Sequence, residues 1–161
     1  MRKWLIARLG KARLLRWIMT LYPPYLGAGV SVQHMSADFR HVKVRMGLGW
    51  YNRSYVGTLF GCSVYSMVDP YYMLKLMENL DRDYIVWDKA ASIDFISPGK
   101  GPVYAEFSID ETLLDEIRRH TEGGEKYLPH LEVQIHDGSG TLVARVDKTL
   151  YVRRKPPVRQ A

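Results

Sequence analysis

The sequence predicts an α+β fold in which a curved antiparallel sheet wraps around a long central helix, about residues 59–80. Three observations carry this. Apolar and polar residues alternate along several short segments, as in Val42, Val44, Met46 and Leu48, which marks strands with one buried face. The segment from Leu59 to about Leu80 is apolar on nearly all sides, which marks a buried helix. One-faced strands need an apolar cover, and that segment is the only element hydrophobic enough to supply it.

The elements follow in order. Leu5, Leu9, Leu14, Ile18 and Leu21 keep helical spacing, so residues 2–21 form an amphipathic helix, which Pro23-Pro24 ends. This helix, with Trp4 and Trp17, is expected to pack its apolar stripe on the domain and leave its bases in water. A peripheral contact with a membrane surface is the lesser expectation. Val30 and Val32 suggest a first strand, and 42–48 is the second. After a loop from Asn52 to Thr58 comes the central helix. Ala91, Ile93 and Phe95 then face one way, Ser92 and Asp94 the other, with Lys89 expected on the face of Ala91. Val103, Ala105, Phe107 and Ile109 form another strand, and Leu113, Leu114 and Ile117 a short helix from Asp110 to about His120. Leu131, Val133 and Ile135 alternate, Asp137-Gly138-Ser139-Gly140 makes a hairpin turn, and Leu142, Ala144, Val146, Leu150 and Val152 form the last strand. Residues 1–161 read as one domain with a core of about 25–154 and a frayed basic tail, 155–161.

Composition excludes several classes. The single cysteine, Cys62, rules out an intrachain disulfide and suits a reducing compartment. No apolar run is long enough for a membrane-spanning helix, and charges interrupt the N-terminus too often for a secretory signal, so the expected location is cytoplasmic. The net charge of +6 sits at the ends: residues 1–37 carry six bases and no acid. Such ends suit nucleic acid, anionic lipid or a phosphate-bearing ligand. The five histidines lack metal-ligand spacing and no phosphate loop opens a helix. No metal, redox cofactor or nucleic-acid partner is expected.

The chemistry concentrates in Gly57-Thr58-Leu59-Phe60-Gly61-Cys62, with Asp69 eight residues after Gly61 and Pro70 directly behind it. Together with the upstream Asn52 and the run from Trp87 to Phe95 followed by Pro98-Gly99, this resembles the acyl-CoA thioesterase branch of the hotdog-fold superfamily, and most closely an uncharacterised bacterial family within it. Phe60 and Cys62 stand where that pattern often has histidine and a second glycine. The resemblance implies that Gly61 offers its backbone N–H to the thioester carbonyl, that Asp69 is the base or nucleophile, and that Asn52 helps hold carbonyl or water. It implies a pocket lined by Thr58, Phe60, Cys62 and Tyr65, coenzyme A as part of the substrate, and a homodimer or dimer of dimers whose site lies between two chains. A non-catalytic module that binds acyl-CoA or fatty acid is the alternative reading.

That chemistry wants these residue types. A helix N-terminus presents fixed N–H donors to a developing oxyanion, and a glycine lets the thioester approach closely. A carboxylate in apolar surroundings serves as a base near neutrality, and Asp69 is expected among Met67, Val68, Tyr71 and Met73. Pro70 removes the donor that Ser66 would use, so the helix kinks or restarts. Asp69 is then either the N-cap of a second helix beginning at Pro70, or turned toward the substrate by the kink. Cys62 reads as a small buried apolar residue, and Asp88, Lys89 and Asp94 as structural polar groups.

Overall fold

The structure is a computed structural model that describes residues 10–156. Two helices, α1 (Lys11–Leu21) and α2 (Pro23–Ala28), lead into β1 (Val30–Met35) and β2 (His41–Met46). Helices α3 (Gly61–Ser66) and α4 (Tyr71–Asn79) follow, then β3 (Tyr84–Phe95) and β4 (Val103–Ser108). Helix α5 (Glu111–His120), β5 (Lys126–Tyr127), β6 (His130–Asp137) and β7 (Leu142–Arg154) complete the described chain. The strands form one antiparallel sheet ordered β1-β2-β4-β6-β7-β3, with β5 also on β7.

The alternation read from sequence decides the inner face. Val42, Val44 and Met46 of β2, Val103, Ala105 and Phe107 of β4, Ile135 of β6 and Val146, Leu150 and Val152 of β7 are buried. They close over Met67, Val68, Tyr71, Tyr72 and Leu76 from the central helical segment. Irregularities at Val32/His34, Asp88/Ala90 and Ile135/His136 interrupt the ladders, and such bulges add the twist that lets a sheet wrap a helix.

Several expectations need correction. The central segment is two helices, not one helix over 59–80, because the pyrrolidine of Pro70 supplies no N–H. The Ser66 carbonyl is still satisfied, accepting from the Asp69 N–H at 3.3 Å in a tighter turn. Helix α4 has Pro70 as its N-cap residue, with no side-chain cap, so Asp69 is not the cap. The bulge at Asp88/Ala90 removes Lys89 from the simple alternation with Ala91. The short β5 escaped the sequence pattern because two residues show no period. Helix α1 begins only at Lys11; residues 2–9, with Trp4, lie outside the described residues. Its apolar stripe is not buried: Trp17, Ile18 and Leu21 are exposed, and Ala12 is the buried position. Helix α1 is held to β1 instead by Thr20 Oγ1, which accepts the Val32 N–H at 3.1 Å, and by Arg16, which donates to the Gln33 carbonyl.

Candidate functional site

Loop 47–60 sets the N-terminus of α3. Asn52 is buried and is the knot of this loop: its amide donates to the Ala28 carbonyl at 2.8 Å and the Gly47 carbonyl at 2.6 Å, and accepts the Gly49 N–H at 2.7 Å. Both amide hydrogens are thus taken by backbone carbonyls that fix the loop. Gly57, at φ 84°, closes the turn by which Ser54 and Thr58 pair. The Phe60 N–H donates to the Asn52 carbonyl at 2.9 Å, which aims the chain into α3.

The first hydrogen bond of α3 runs from the Val64 N–H to the Phe60 carbonyl, at 3.0 Å, and no side chain caps the helix. The N–H groups of Gly61, Cys62 and Ser63 are therefore free of helical partners, as at any uncapped start. Gly61 lines a cleft of about 390 Å³ with Thr58, Leu59, Val64, Phe95, Ile96, Pro98 and Gly99. A Cβ on Gly61 would stand 3.0 Å from Cζ of Phe95, so glycine is what allows that ring to lie against the helix start. Of the other expected lining residues, Thr58 faces the cleft, while Phe60, Cys62 and Tyr65 do not line it. Cys62 is exposed rather than buried, because α3 turns Ser63 and Val64 toward the sheet.

Asp69 lies beyond the other end of α3, at the sheet's edge. The apolar surroundings expected for it are absent: Met67, Val68 and Tyr71 turn into the core, while the Asp69 side chain is 54% exposed. Its partner is one the sequence did not suggest. Lys148, fully buried on the inner face of β7, holds its ammonium 3.5 Å from the Asp69 carboxylate and 2.9 Å from that of Asp88, and donates to the Asp69 main-chain carbonyl. Asp88 is mostly buried, and that burial pushes its carboxyl above the usual range; Lys148 pulls it back, and the charge of Asp69 pushes it up further. Burial also raises the Tyr65 hydroxyl, with the charges of Asp69 and Asp88 adding to it. A signal for Lys148 was present: the inward positions Val146, Leu150 and Val152 leave a lysine where the period demands an apolar residue.

A second hollow, about 720 Å³, lies at the far end of β3 and β7 among Arg82, Asp83, Arg153, Arg154 and Lys155. It holds the Arg154–Asp83 ion pair at 2.9 Å and no part of the expected site. Among the described residues no group of His, Cys, Asp and Glu is clustered to hold a metal ion, and no helix is long and apolar enough to cross a membrane.

A helical segment embraced by one antiparallel sheet defines the hotdog fold. The chain belongs to the family described as domain of unknown function DUF4442, whose model matches residues 10–152. Solved structures share the fold. A Pseudomonas aeruginosa protein described as a probable thioesterase superposes with a TM-score of 0.77 at 19% identity, over 88% of this chain and 94% of that one. A Haemophilus influenzae thioesterase matches with a TM-score of 0.65 at 12% identity, over 91% of this chain and 92% of that one. A Staphylococcus aureus thioesterase matches with a TM-score of 0.57 at 13% identity, over 80% and 97%. No curated protein sequence matches the chain.

Proposed function

We propose that the protein hydrolyses acyl-CoA thioesters in a site shared by two copies of the chain, with Gly61 of one copy binding the carbonyl oxygen and Asp69 of the other activating water. One observation carries this reading: an open backbone donor beside an apolar cleft and an accessible carboxylate lie at opposite ends of the same helix. Eight residues separate them, roughly 12 Å of helical rise. A tetrahedral centre needs both within about 3 Å, so one chain does not bring them to one carbon.

The edge strand β3 offers the means to join them. Its 12 residues pair with β7 on one side only, and Ala90, Ala91 and Ser92 at its middle are exposed. An unpaired edge of that length is a template for another strand. Two copies paired antiparallel about a two-fold axis set the Asp88 half of one β3 beside the Phe95 half of the other. Asp69 stands by Asp88 through Lys148, and Gly61 stands by Phe95. Such a dimer therefore carries each carboxylate toward the other copy's helix start.

In the reaction, the thioester carbonyl takes the Gly61 N–H, and the adjacent free N–H groups and α3 dipole favour the charge that develops on oxygen. Asp69 removes a proton from water as the water oxygen attacks the carbonyl carbon. Collapse of the tetrahedral species expels the coenzyme A thiolate, which takes that proton from Asp69, and leaves the carboxylic acid. No metal or redox cofactor enters these steps.

The test is thiol release from short, long and aromatic acyl-CoAs, with wild type beside Asp69→Asn. Turnover by wild type that collapses in the folded variant supports the reading. Equal activity in both removes Asp69 from the chemistry. Saturable acyl-CoA binding without turnover makes the protein a binding module instead.

A further inference from the structure

We propose that Lys148 is a positioning residue that holds the Asp69 carboxylate at one place on the sheet, with Asp88 as its counter-charge. The inference deepens the proposed function and rests on it for its catalytic meaning.

Lys148 lies on the face of β7 that is otherwise apolar, between Val146 and Leu150. In the sheet it stands between Ala91 of β3 and Leu131 of β6. Ala91 is small, so the lysine stem has room to run toward the helix break. A buried ammonium is tolerated only when paired and hydrogen-bonded. Asp88 alone, at 2.9 Å, would satisfy the charge. Lys148 does more than that: it engages Asp69 twice, through the carboxylate at 3.5 Å and through the main-chain carbonyl.

The second contact anchors the break in the helix that Pro70 makes. The Leu74 N–H donates to the Pro70 carbonyl at 2.8 Å, where α4 begins, and the Asp69 carbonyl is left over at the junction. Lys148 takes it. The backbone of residue 69 is thereby tied to the sheet, and its side chain leaves the helix wall at a fixed point on the edge of β3. Other titratable groups facing the cluster are Tyr25 from α2, Tyr65 from α3 and Tyr71 from α4. Tyr25 and Tyr65 are coupled to the Asp69 charge, and burial keeps all three hydroxyls protonated. The ammonium is thus the positive charge that faces the two carboxylates.

The experiment compares wild type, Asp88→Asn and the double variant Lys148→Met/Asp88→Asn, which avoids stranding a buried carboxylate. Two readouts are taken: kcat and KM on an acyl-CoA that wild type turns over, and the carbon NMR position of the Asp69 side-chain carboxyl at neutral pH, assigned with Asp69→Asn. Asp88→Asn keeps Lys148 on Asp69 and is expected to keep that resonance distinct from an exposed free aspartate. In the double variant the resonance is expected to move to the free-aspartate position, and kcat to fall by up to about 100-fold with KM little changed, the size expected when a reacting group is misplaced by about 1 Å. An Asp69 resonance and a kcat identical in the two variants overturn the proposal, even where Asp69→Asn abolishes activity. If wild type turns over no thioester, the proposed function fails, and the NMR comparison still decides whether Lys148 holds Asp69.

Discussion

Lys75 gives the sharpest stability prediction. It is 1% exposed in α4, and its ammonium donates to the Arg40 carbonyl at 3.0 Å. It lies 5.9 Å from the ring centroid of Tyr72 and 5.8 Å from that of Phe107. Burial, only partly offset by the charge of Asp38, depresses the amine from 10.5 to about 7. The unfolded chain binds this proton up to pH 10.5 and the folded chain releases it near 7, so stability rises with pH across that window. At about 1.36 kcal/mol per pH unit the full span is roughly 5 kcal/mol. Lys75→Met removes this dependence. Its cost is one hydrogen bond, about 1 kcal/mol, because the Arg40 carbonyl keeps the Ile109 N–H at 3.1 Å. Urea unfolding at several pH values should therefore find the variant more stable than wild type by roughly 4 kcal/mol near pH 6. Near pH 10 the two should be about equally stable, because the unfolded lysine is still largely protonated there and the remaining burial cost offsets the lost hydrogen bond. A difference between the two proteins that stays constant from pH 6 to 10 would refute the argument.

Two further outcomes follow from the loop and the helix it positions. Asn52→Ala strands three backbone groups, at Ala28, Gly47 and Gly49. It should lower stability by about 3 kcal/mol in urea unfolding, and saturating substrate should recover most of the activity, because the side chain's hydrogen bonds hold the loop. Gly61→Pro deletes one N–H at the first helical position, where proline is tolerated and the preceding Phe60 already has the extended backbone that proline requires. Its far-UV spectrum should match wild type while kcat falls about 10²–10³-fold below that of Gly61→Ala, which crowds the Phe95 ring but keeps the donor.

The sheet was legible because its inner face repeats every second residue: β2, β4, β6 and β7 stand where Val44, Ala105, Ile135 and Val146 place them. Type and order of elements follow from such local periods. The helix break at Pro70 was legible in kind, since the missing N–H is a local fact, but where the Asp69 side chain goes was not. That direction depends on Lys148, 79 residues further on, and no local spacing encodes a cross-sheet pair. The register slip at Lys89 was hidden for the same reason, because a bulge is a property of two strands. Asn52 stood out in the sequence as a ligand-holding residue, yet its hydrogen bonds go to backbone groups brought together only by folding. Helix α1 misled through its period alone. An amphipathic stripe states that a helix has an apolar side, and within one chain that side is left exposed at Trp17, Ile18 and Leu21.

If donor and base come from different chains, two inactive variants restore each other when mixed. Asp69→Asn keeps the helix donor and lacks the base; Gly61→Pro lacks the donor and keeps the base. After dissociation and reassociation of an equal mixture, half of the dimers contain one chain of each kind. Each such dimer has one site built from Gly61 of one chain and Asp69 of the other, both intact. Recovery to about a quarter of wild-type acyl-CoA hydrolysis is expected, set by the symmetry of a two-chain site. A mixture that stays as inactive as its parts, while mass spectrometry shows the mixed dimer has formed, would contradict it.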